Sequence, residues 1–140
     1  MYLIDTNVII EARKQQFTNI GVLGFFKNAA ARGEDVYLSV ISVGELRRGV
    51  ELIAHRGHKP QSKLLNAWLA RVVEQYAGNI LPFDQDAAQV WGHLRVSHAE
   101  HAIAKQIAAI ALVHDLTVVT RNGADFMGTG VRLLNPFLHD

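Results

Sequence analysis

Short apolar segments alternate with longer segments of helical periodicity along this chain of 140 residues. An apolar segment of three to five residues, bounded by polar residues or glycine, is typical of a buried strand. We predict five such strands on this basis, at 2–4, 36–39, 80–83, 116–120 and 131–134.

The segments between these strands carry apolar residues at spacings of three and four, which predicts helices. We place the helices at 7–11, 20–31, from Ser42 to the turn at 57–60, 64–76, from Asp84 or Asp86 through Leu94, and 103–113. The helix at 103–113 is apolar on nearly all sides, so we expect it to lie against the sheet. Strands that alternate with helices predict an α/β fold with a mainly parallel sheet.

The first ten residues, MYLIDTNVII, combine a buried strand with a charged end. The strand ends at Asp5, and a helix begins directly afterwards. In an open α/β sheet, ligands bind beyond the carboxyl ends of the strands, where Asp5 would lie. Asp is also a common N-terminal cap of a helix. Asp5 alone is therefore compatible with a functional role and with a capping role.

Composition narrows the class of protein. Hydrophobic residues make up 49% of the chain, its net charge is +1, and it has no cysteine. This predicts a globular protein without disulfides, suited to a reducing cytoplasm, in which any anionic partner must meet a local basic patch. We see no secretory signal and no apolar stretch long enough for a bilayer. We expect one domain over residues 1–140.

Acidic and polar residues also follow other predicted strands. Glu45 lies near the start of the helix after the second strand, where Ser42 and Glu45 have the spacing of a capping box. Thr120, Asn122 and Asp125 follow the fourth strand, in a segment that would also suit an ordinary turn. Oxygen ligands from several strand ends fit a hard cation such as Mg²⁺, which can activate water towards a phosphodiester.

The seven histidines offer a different metal hypothesis. His98 and His101 are three residues apart, and His93 lies upstream, a spacing that zinc ligands can have. These residues lie in or beside a polar link, for which a solvated turn is the better interpretation.

Four blocks of the chain carry a family resemblance: LIDTN at 3–7, LSVISVGELRRGV at 38–50, QIAAIALVHDLTVVTRN at 106–122 and TGVRLLNPF at 129–137. In this order and spacing they resemble the PIN-domain ribonucleases, and more narrowly the VapC-type toxins of toxin–antitoxin pairs, near the FitB-like branch. The resemblance extends over essentially the whole chain. It implies a three-layer α/β fold with a central parallel sheet of order 3-2-1-4-5, flanked by helices.

The resemblance also implies an activity, partners and site residues. The activity is endonucleolytic cleavage of RNA that depends on Mg²⁺ or Mn²⁺. The partners are a VapB-like antitoxin that threads a segment across the site, a second toxin copy, and operator DNA only through the antitoxin. By position, Asp5 and Glu45 would be metal carboxylates. The other candidate residues would complete the acidic cluster or orient ligands and phosphate: Asn122, Asp125, Thr6 and Thr120.

One acid that the resemblance implies is missing, because Ala104 stands one helical turn before the Ala-Ala pair where an acid is expected. Three explanations are open: an engineered exchange of Asp for Ala, a naturally inactive relative, or replacement by Glu100 about one turn earlier. The intact flanking residues favour the first. With fewer carboxylates and Lys105 less well neutralised, we expect weak Mg²⁺ binding and little or no RNA cleavage.

Two other classes of protein remain as alternatives. A phosphoacceptor receiver domain has the same α/β plan, with Asp5 after the first strand, Asp84 after the third and Thr120 at the end of the fourth. However, a second acid after the first strand and a lysine after the last one are missing. The other alternative is an interaction protein whose only role is to hold an antitoxin.

Overall fold

The computed structural model describes residues 1–138 and contains a five-stranded sheet. Its strands are β1 (Tyr2–Ile4), β2 (Val36–Ser39), β3 (Ile80–Leu81), β4 (Thr117–Val119) and β5 (Leu133–Leu134). Their order is β3-β2-β1-β4-β5, and all neighbouring pairs are parallel. The predicted parallel sheet and its strand order are confirmed. Strand β3 ends earlier than predicted, at Leu81, because Pro82 has no N–H to donate.

Six α-helices flank the sheet in the described part of the chain. They are α1 (Thr6–Ala12), α2 (Ile20–Ala31), α3 (Val40–His55), α4 (Lys59–Gln75), α5 (Gln85–Ser97) and α6 (Ala102–His114), with 3-10 helices at Gln15–Phe17 and Gly123–Phe126. Helix α4 begins five residues before the predicted start at 64. Pro60 lies in its first turn, where the missing N–H of proline costs nothing.

The helices form one layer on each face of the sheet. The first core joins the sheet to α1, α2, α3 and α4, with Ile4, Phe25 and Leu69 among its buried residues. The second core joins the opposite face to α5 and α6, and contains Leu3 and Ile107. This is the three-layer arrangement that we expected. No helix within residues 1–138 is long and apolar enough to cross a membrane.

The strand order shows that the receiver alternative is wrong. A receiver sheet has the order 2-1-3-4-5, which places the third strand beside the first. Here β3 is an edge strand, and β2 separates it from β1. The side chain of Asp84 instead caps α5 by accepting a hydrogen bond of 3.0 Å from the N–H of Ala87. Asp84 is therefore a helix cap, remote from Asp5.

The carboxylate of Glu11 fastens the loop that joins α1 to α2. It is buried, and it accepts hydrogen bonds of 2.9 Å from the Lys14 ammonium and 2.9 Å from the N–H of Asn19. Burial alone would raise the pKa of Glu11, but these hydrogen bonds outweigh it and hold the pKa below its ordinary value. The ionised carboxylate therefore stabilises the folded protein.

We expect Glu11→Gln to lower the free energy of unfolding by about 1 kcal/mol at pH 7, because an amide cannot replace both charge-assisted bonds. A lowered pKa gives stabilisation that is present above the unfolded-state pKa and lost as the pH falls through the folded-state value. Urea unfolding at pH 7 and pH 3 should therefore show a larger deficit at pH 7 than at pH 3. Glu51→Gln, at an exposed carboxylate, should change neither value. A deficit of equal size at both pH values would contradict this account.

Candidate functional site

Asp5 follows β1 directly and lies at the carboxyl edge of the sheet. Its N–H donates to the carbonyl of Val119 over 2.9 Å, which continues the pairing of β1 with β4. Its Oδ1 accepts a hydrogen bond of 2.8 Å from the N–H of Thr6 and so caps α1. The capping role and the position at the ligand edge are therefore both present.

Side chains from α1 and from the residue that follows β4 hold the second oxygen of Asp5. The hydroxyl of Thr120 donates to Oδ2 of Asp5 over 2.8 Å, and the amide of Asn7 donates to the same oxygen over 3.2 Å. Asn7 Oδ1 also accepts a hydrogen bond of 3.1 Å from the N–H of Arg121. Thr120 was predicted as an orienting residue, whereas Asn7 was missed. The available signal was a side-chain amide two residues after the acid, in the first turn of the helix.

The carboxyl group of Asp5 is buried, with 8% of the residue exposed. Burial raises its pKa above the ordinary value, and the negative charge of Asp125 acts in the same direction. Hydrogen bonds from Thr120, Thr6 and Asn7 oppose this shift without cancelling it. A carboxylate destabilised in this way is one that a bound cation would stabilise.

The side chain of Glu45 extends from α3 to Thr6, the residue next to Asp5. The predicted capping box is wrong, because α3 begins at Val40 and its cap is Ser39, whose hydroxyl accepts a hydrogen bond of 3.0 Å from the N–H of Ser42. Glu45 therefore lies in the second turn and does not cap the helix. Its Oε1 instead accepts a hydrogen bond of 2.6 Å from the hydroxyl of Thr6. Thr6 thereby connects the start of α1 to α3.

The first turn of α6 and the segment after β4 complete a cleft of about 550 Å³. The cleft contains every predicted site residue except Thr120, which lies buried and hydrogen-bonded to Asp5. Its lining residues are Asp5, Thr6, Asn7, Ile10, Glu45, His101, Ala102, Ile103, Ala104, Ile107, Asn122 and Asp125. The structure thus places Ala104 on the wall of the acidic cleft.

Glu100 does not take the place of the missing acid. It is absent from the described lining of the cleft, and its carboxylate lies 3.6 Å from Nδ1 of His98 on the solvent side. Lys105 also lies outside this lining, contrary to our expectation that it flanks the site. Its side chain is buried, and its ammonium donates to the carbonyl of Glu100.

The donor set of the cleft fits a divalent cation only in part. Carboxylate and amide oxygens are the correct ligand type for Mg²⁺. Yet no group of three or more His, Cys, Asp or Glu side chains within residues 1–138 is arranged to hold a metal ion. This is the arrangement expected when one carboxylate is replaced by a methyl group. The same finding argues against a zinc site formed by His93, His98 and His101.

The fold and the cleft define an α/β protein with acidic side chains at the carboxyl ends of its central strands. The chain belongs to the PIN domain family, whose model matches residues 2–127. The toxin FitB of Neisseria gonorrhoeae is 37% identical over 145 residues, with 100% of both chains covered. The VapC ribonuclease Y4jK of Sinorhizobium fredii is 34% identical over 142 residues, with 98% of both chains covered.

A solved structure of FitAB bound to the IR36 DNA fragment contains a chain of the same fold. Its TM-score to this protein is 0.80 at 31% sequence identity, and the match covers 100% of this chain and 98% of that chain. These similarities confirm the family resemblance and the fold that it implies.

Proposed function

We propose that this chain is a VapC-type toxin whose cleft is built for RNA and a divalent cation, and whose ribonuclease activity is strongly reduced by Ala104. The observation that carries the proposal is the meeting of three chain segments in one cleft: Asp5 after β1, Glu45 on α3 and Ala104 on α6. The similarity to a VapC ribonuclease supports RNA as the substrate.

Asp5 and Glu45 are the residues that would hold a Mg²⁺ or Mn²⁺ ion. Such an ion, when bound, supplies a Lewis acid and an activated water for hydrolysis of a phosphodiester. The surrounding side chains keep the two carboxylates in place, since Thr6 donates to Glu45, and Thr120 and Asn7 donate to Asp5. Mutation of residues that hold metal ligands in place typically lowers metal affinity or activity by about 10- to 100-fold.

Two further residues line the cleft near the carboxyl end of β4. Asn122 offers an amide oxygen as a neutral ligand, and Asp125 adds a negative charge that is felt at Asp5. We assign both to the acidic cluster. Neither compensates for the missing carboxylate at 104, because no three acidic or histidine ligands within residues 1–138 converge.

The Ala104→Asp exchange tests the proposal. We expect it to raise Mg²⁺-dependent cleavage of RNA at least about 100-fold over the chain as it stands, because it supplies the missing carboxylate to the cation. Cleavage of a mixed RNA pool, followed by gel electrophoresis, measures the change. EDTA should remove the gained activity.

Ala104→Asn is the matched control, since it adds a side chain of the same size without the charge. It should stay near the activity of the unsubstituted chain. The proposed function would be wrong if a purified and folded Ala104→Asp protein cleaved no more RNA than this control with either Mg²⁺ or Mn²⁺.

The similarity to the FitB toxin and to a chain of the DNA-bound FitAB structure supports a set of partners. We propose a VapB-like antitoxin, a homodimer of this chain within a toxin–antitoxin hetero-oligomer, and contact with operator DNA only through the antitoxin. The cytoplasm is the compartment that fits these partners. Gel filtration of this chain with the product of the adjacent gene tests the assembly, and two separate peaks would argue against it.

A further inference from the structure

His101 places a basic side chain in the cleft beside its acidic residues. Of the residues that line the described cleft, His101 alone has a basic side chain, whereas Asp5, Glu45 and Asp125 carry carboxylates. An RNA phosphate that enters the cleft is repelled by these carboxylates unless a positive group lies beside it. Because the cation site is incomplete, His101 is the lining residue that can supply this positive charge.

The backbone holds His101 in a specific conformation. His101 has φ 53° and ψ 52°, the left-handed region that residues other than glycine rarely adopt. The carbonyl of His101 accepts a hydrogen bond of 3.0 Å from the N–H of Lys105. The buried ammonium of Lys105 donates to the carbonyl of Glu100, one residue earlier. A buried anchor therefore fixes the segment that carries His101.

The imidazole of His101 does not cap the helix that follows it. His101 occupies the N-cap position of α6, but its side chain makes no capping hydrogen bond. Half of the side chain is exposed, and it lies on the wall of the cleft next to Ala102. A strained backbone that presents a polar side chain to a cleft is typical of a functional position.

The carboxylate of Asp125 faces the ring of His101. Nδ1 of His101 lies 3.5 Å from Oδ1 of Asp125, and Asp125 is held by its own N–H, which donates to the carbonyl of Asn122 over 3.0 Å. A carboxylate that faces Nδ1 leaves Nε2 as the nitrogen available to a ligand. When the ring is protonated both nitrogens are donors, so Nε2 can donate to a phosphate oxygen.

We propose that His101, positioned by Asp125, binds a phosphate group of RNA in this cleft. The inference rests on the proposed function, because it takes RNA as the ligand. It adds a residue that binds substrate without the cation, so this chain should bind RNA even where it cleaves none. Contacts to phosphate hold the backbone of the nucleic acid and carry no sequence information.

Fluorescence anisotropy with a labelled single-stranded RNA, in EDTA and at low salt, tests the proposal on the full chain. We expect His101→Ala to weaken binding by about tenfold, the size of one charge-assisted hydrogen bond. His101→Arg, which supplies a cationic donor at the same position, should bind within about twofold of the unsubstituted chain. His93→Ala, at an exposed histidine of α5 outside the cleft, is the matched control and should have no effect.

Two outcomes would overturn the proposal: no RNA binding by the unsubstituted chain, or equal affinities of that chain and His101→Ala. Thermal unfolding of each variant checks that the fold is kept. If His101→Ala does not fold, a loss of affinity in the folded His101→Arg variant overturns the proposal and retained affinity supports it. The proposed nuclease function is judged separately, by the cleavage gained in Ala104→Asp.

A separate measurement tests the role of Asp125. Repulsion of phosphate and positioning of His101 predict opposite changes in RNA affinity when Asp125→Asn is made in the unsubstituted chain. If Asp125 only repels phosphate, Asp125→Asn tightens RNA binding whether or not His101 is present. If Asp125 positions His101, the exchange weakens binding in the unsubstituted chain and tightens it in His101→Ala. A double-mutant cycle separates the two, and the same sign in both backgrounds overturns the positioning role.

Discussion

Exchanging Asp5 for Asn in the Ala104→Asp protein is expected to abolish the restored cleavage, with a loss of at least about 100-fold. Asp5 is the carboxylate that the fold holds most firmly, through the N–H of Thr6, the hydroxyl of Thr120 and the amide of Asn7. Asparagine keeps the size of the side chain and its capping oxygen but removes the charge that would bind the cation. The initial rate of Mg²⁺-dependent RNA cleavage measures the effect.

The same exchange should also remove an electrostatic cost to the stability of the folded protein. Burial and the charge of Asp125 raise the pKa of Asp5, so the folded state disfavours the ionised form that is present at pH 7. Removing a charge that is kept for function commonly stabilises a protein. In the chain as it stands, we expect removal of the charge to raise the thermal midpoint of Asp5→Asn, relative to the unsubstituted chain, by about 3 °C more at pH 7 than at pH 4, whereas the loss of an acceptor oxygen for Thr120 and Asn7 is the same at both pH values.

The pH dependence of this gain follows from the sign of the shift. A raised folded-state pKa gives a stability that is fully present below the unfolded-state pKa and lost as the pH rises through the folded-state value. The advantage of Asn over Asp should therefore be large at pH 7 and small below about pH 4. Asp35→Asn, at an exposed carboxyl, is the control and should change neither midpoint. A difference in midpoint between Asp5→Asn and the unsubstituted chain that is the same at pH 4 and pH 7 would contradict the electrostatic account of this site.

Part of the site could be predicted from the sequence because its polar residues lie at the carboxyl ends of buried strands. Asp5 and Thr120 each follow a buried apolar segment, and the carboxyl ends of parallel strands meet at one edge of a sheet. Their hydrogen bond of 2.8 Å is the direct consequence. The position of Ala104 could be proposed for another reason, because it lies one helical turn before the Ala-Ala pair of the apolar helix that carries the family resemblance.

Other parts of the site depend on contacts that a local pattern does not contain. Ser39 and Ser42 are both plausible caps, and the choice is made by the last residue of β2, where the extended backbone lets Ser39 accept from the N–H of Ser42. The role of Asn7 depends on β4 lying beside β1. The left-handed backbone of His101 depends on how Lys105 packs beneath the turn between α5 and α6. These features appear only when distant segments are brought together.

The approach of the C-terminal segment to α2 leads to the second large effect, on stability. Gly21 lies in the first turn of α2, and a Cβ atom placed there would overlap the carbonyl oxygen of Pro136 and lie 2.8 Å from the N–H nitrogen of Leu138. The side chain of Asn19 fastens this segment, donating to the carbonyl of Leu138 over 2.8 Å and accepting from its N–H over 3.1 Å. Between them, Phe137 is buried in the first core.

We expect Gly21→Ala to lower the free energy of unfolding by about 2 kcal/mol, because the overlapping atoms belong to the backbone and cannot move without displacing Phe137. Alanine is favoured over glycine in a helix by up to about 1 kcal/mol. The expected loss is the net effect after this gain is subtracted from the cost of the overlap. Gly24→Ala is the matched control on the same helix, since within residues 1–138 no atom beyond the neighbouring backbone of α2 lies within 4 Å of its added Cβ. It should stabilise the protein, and urea unfolding of both variants measures the difference. If Gly21→Ala were as stable as Gly24→Ala, the C-terminal segment would not lie against α2 in the protein, and Phe137 would have no place in its core.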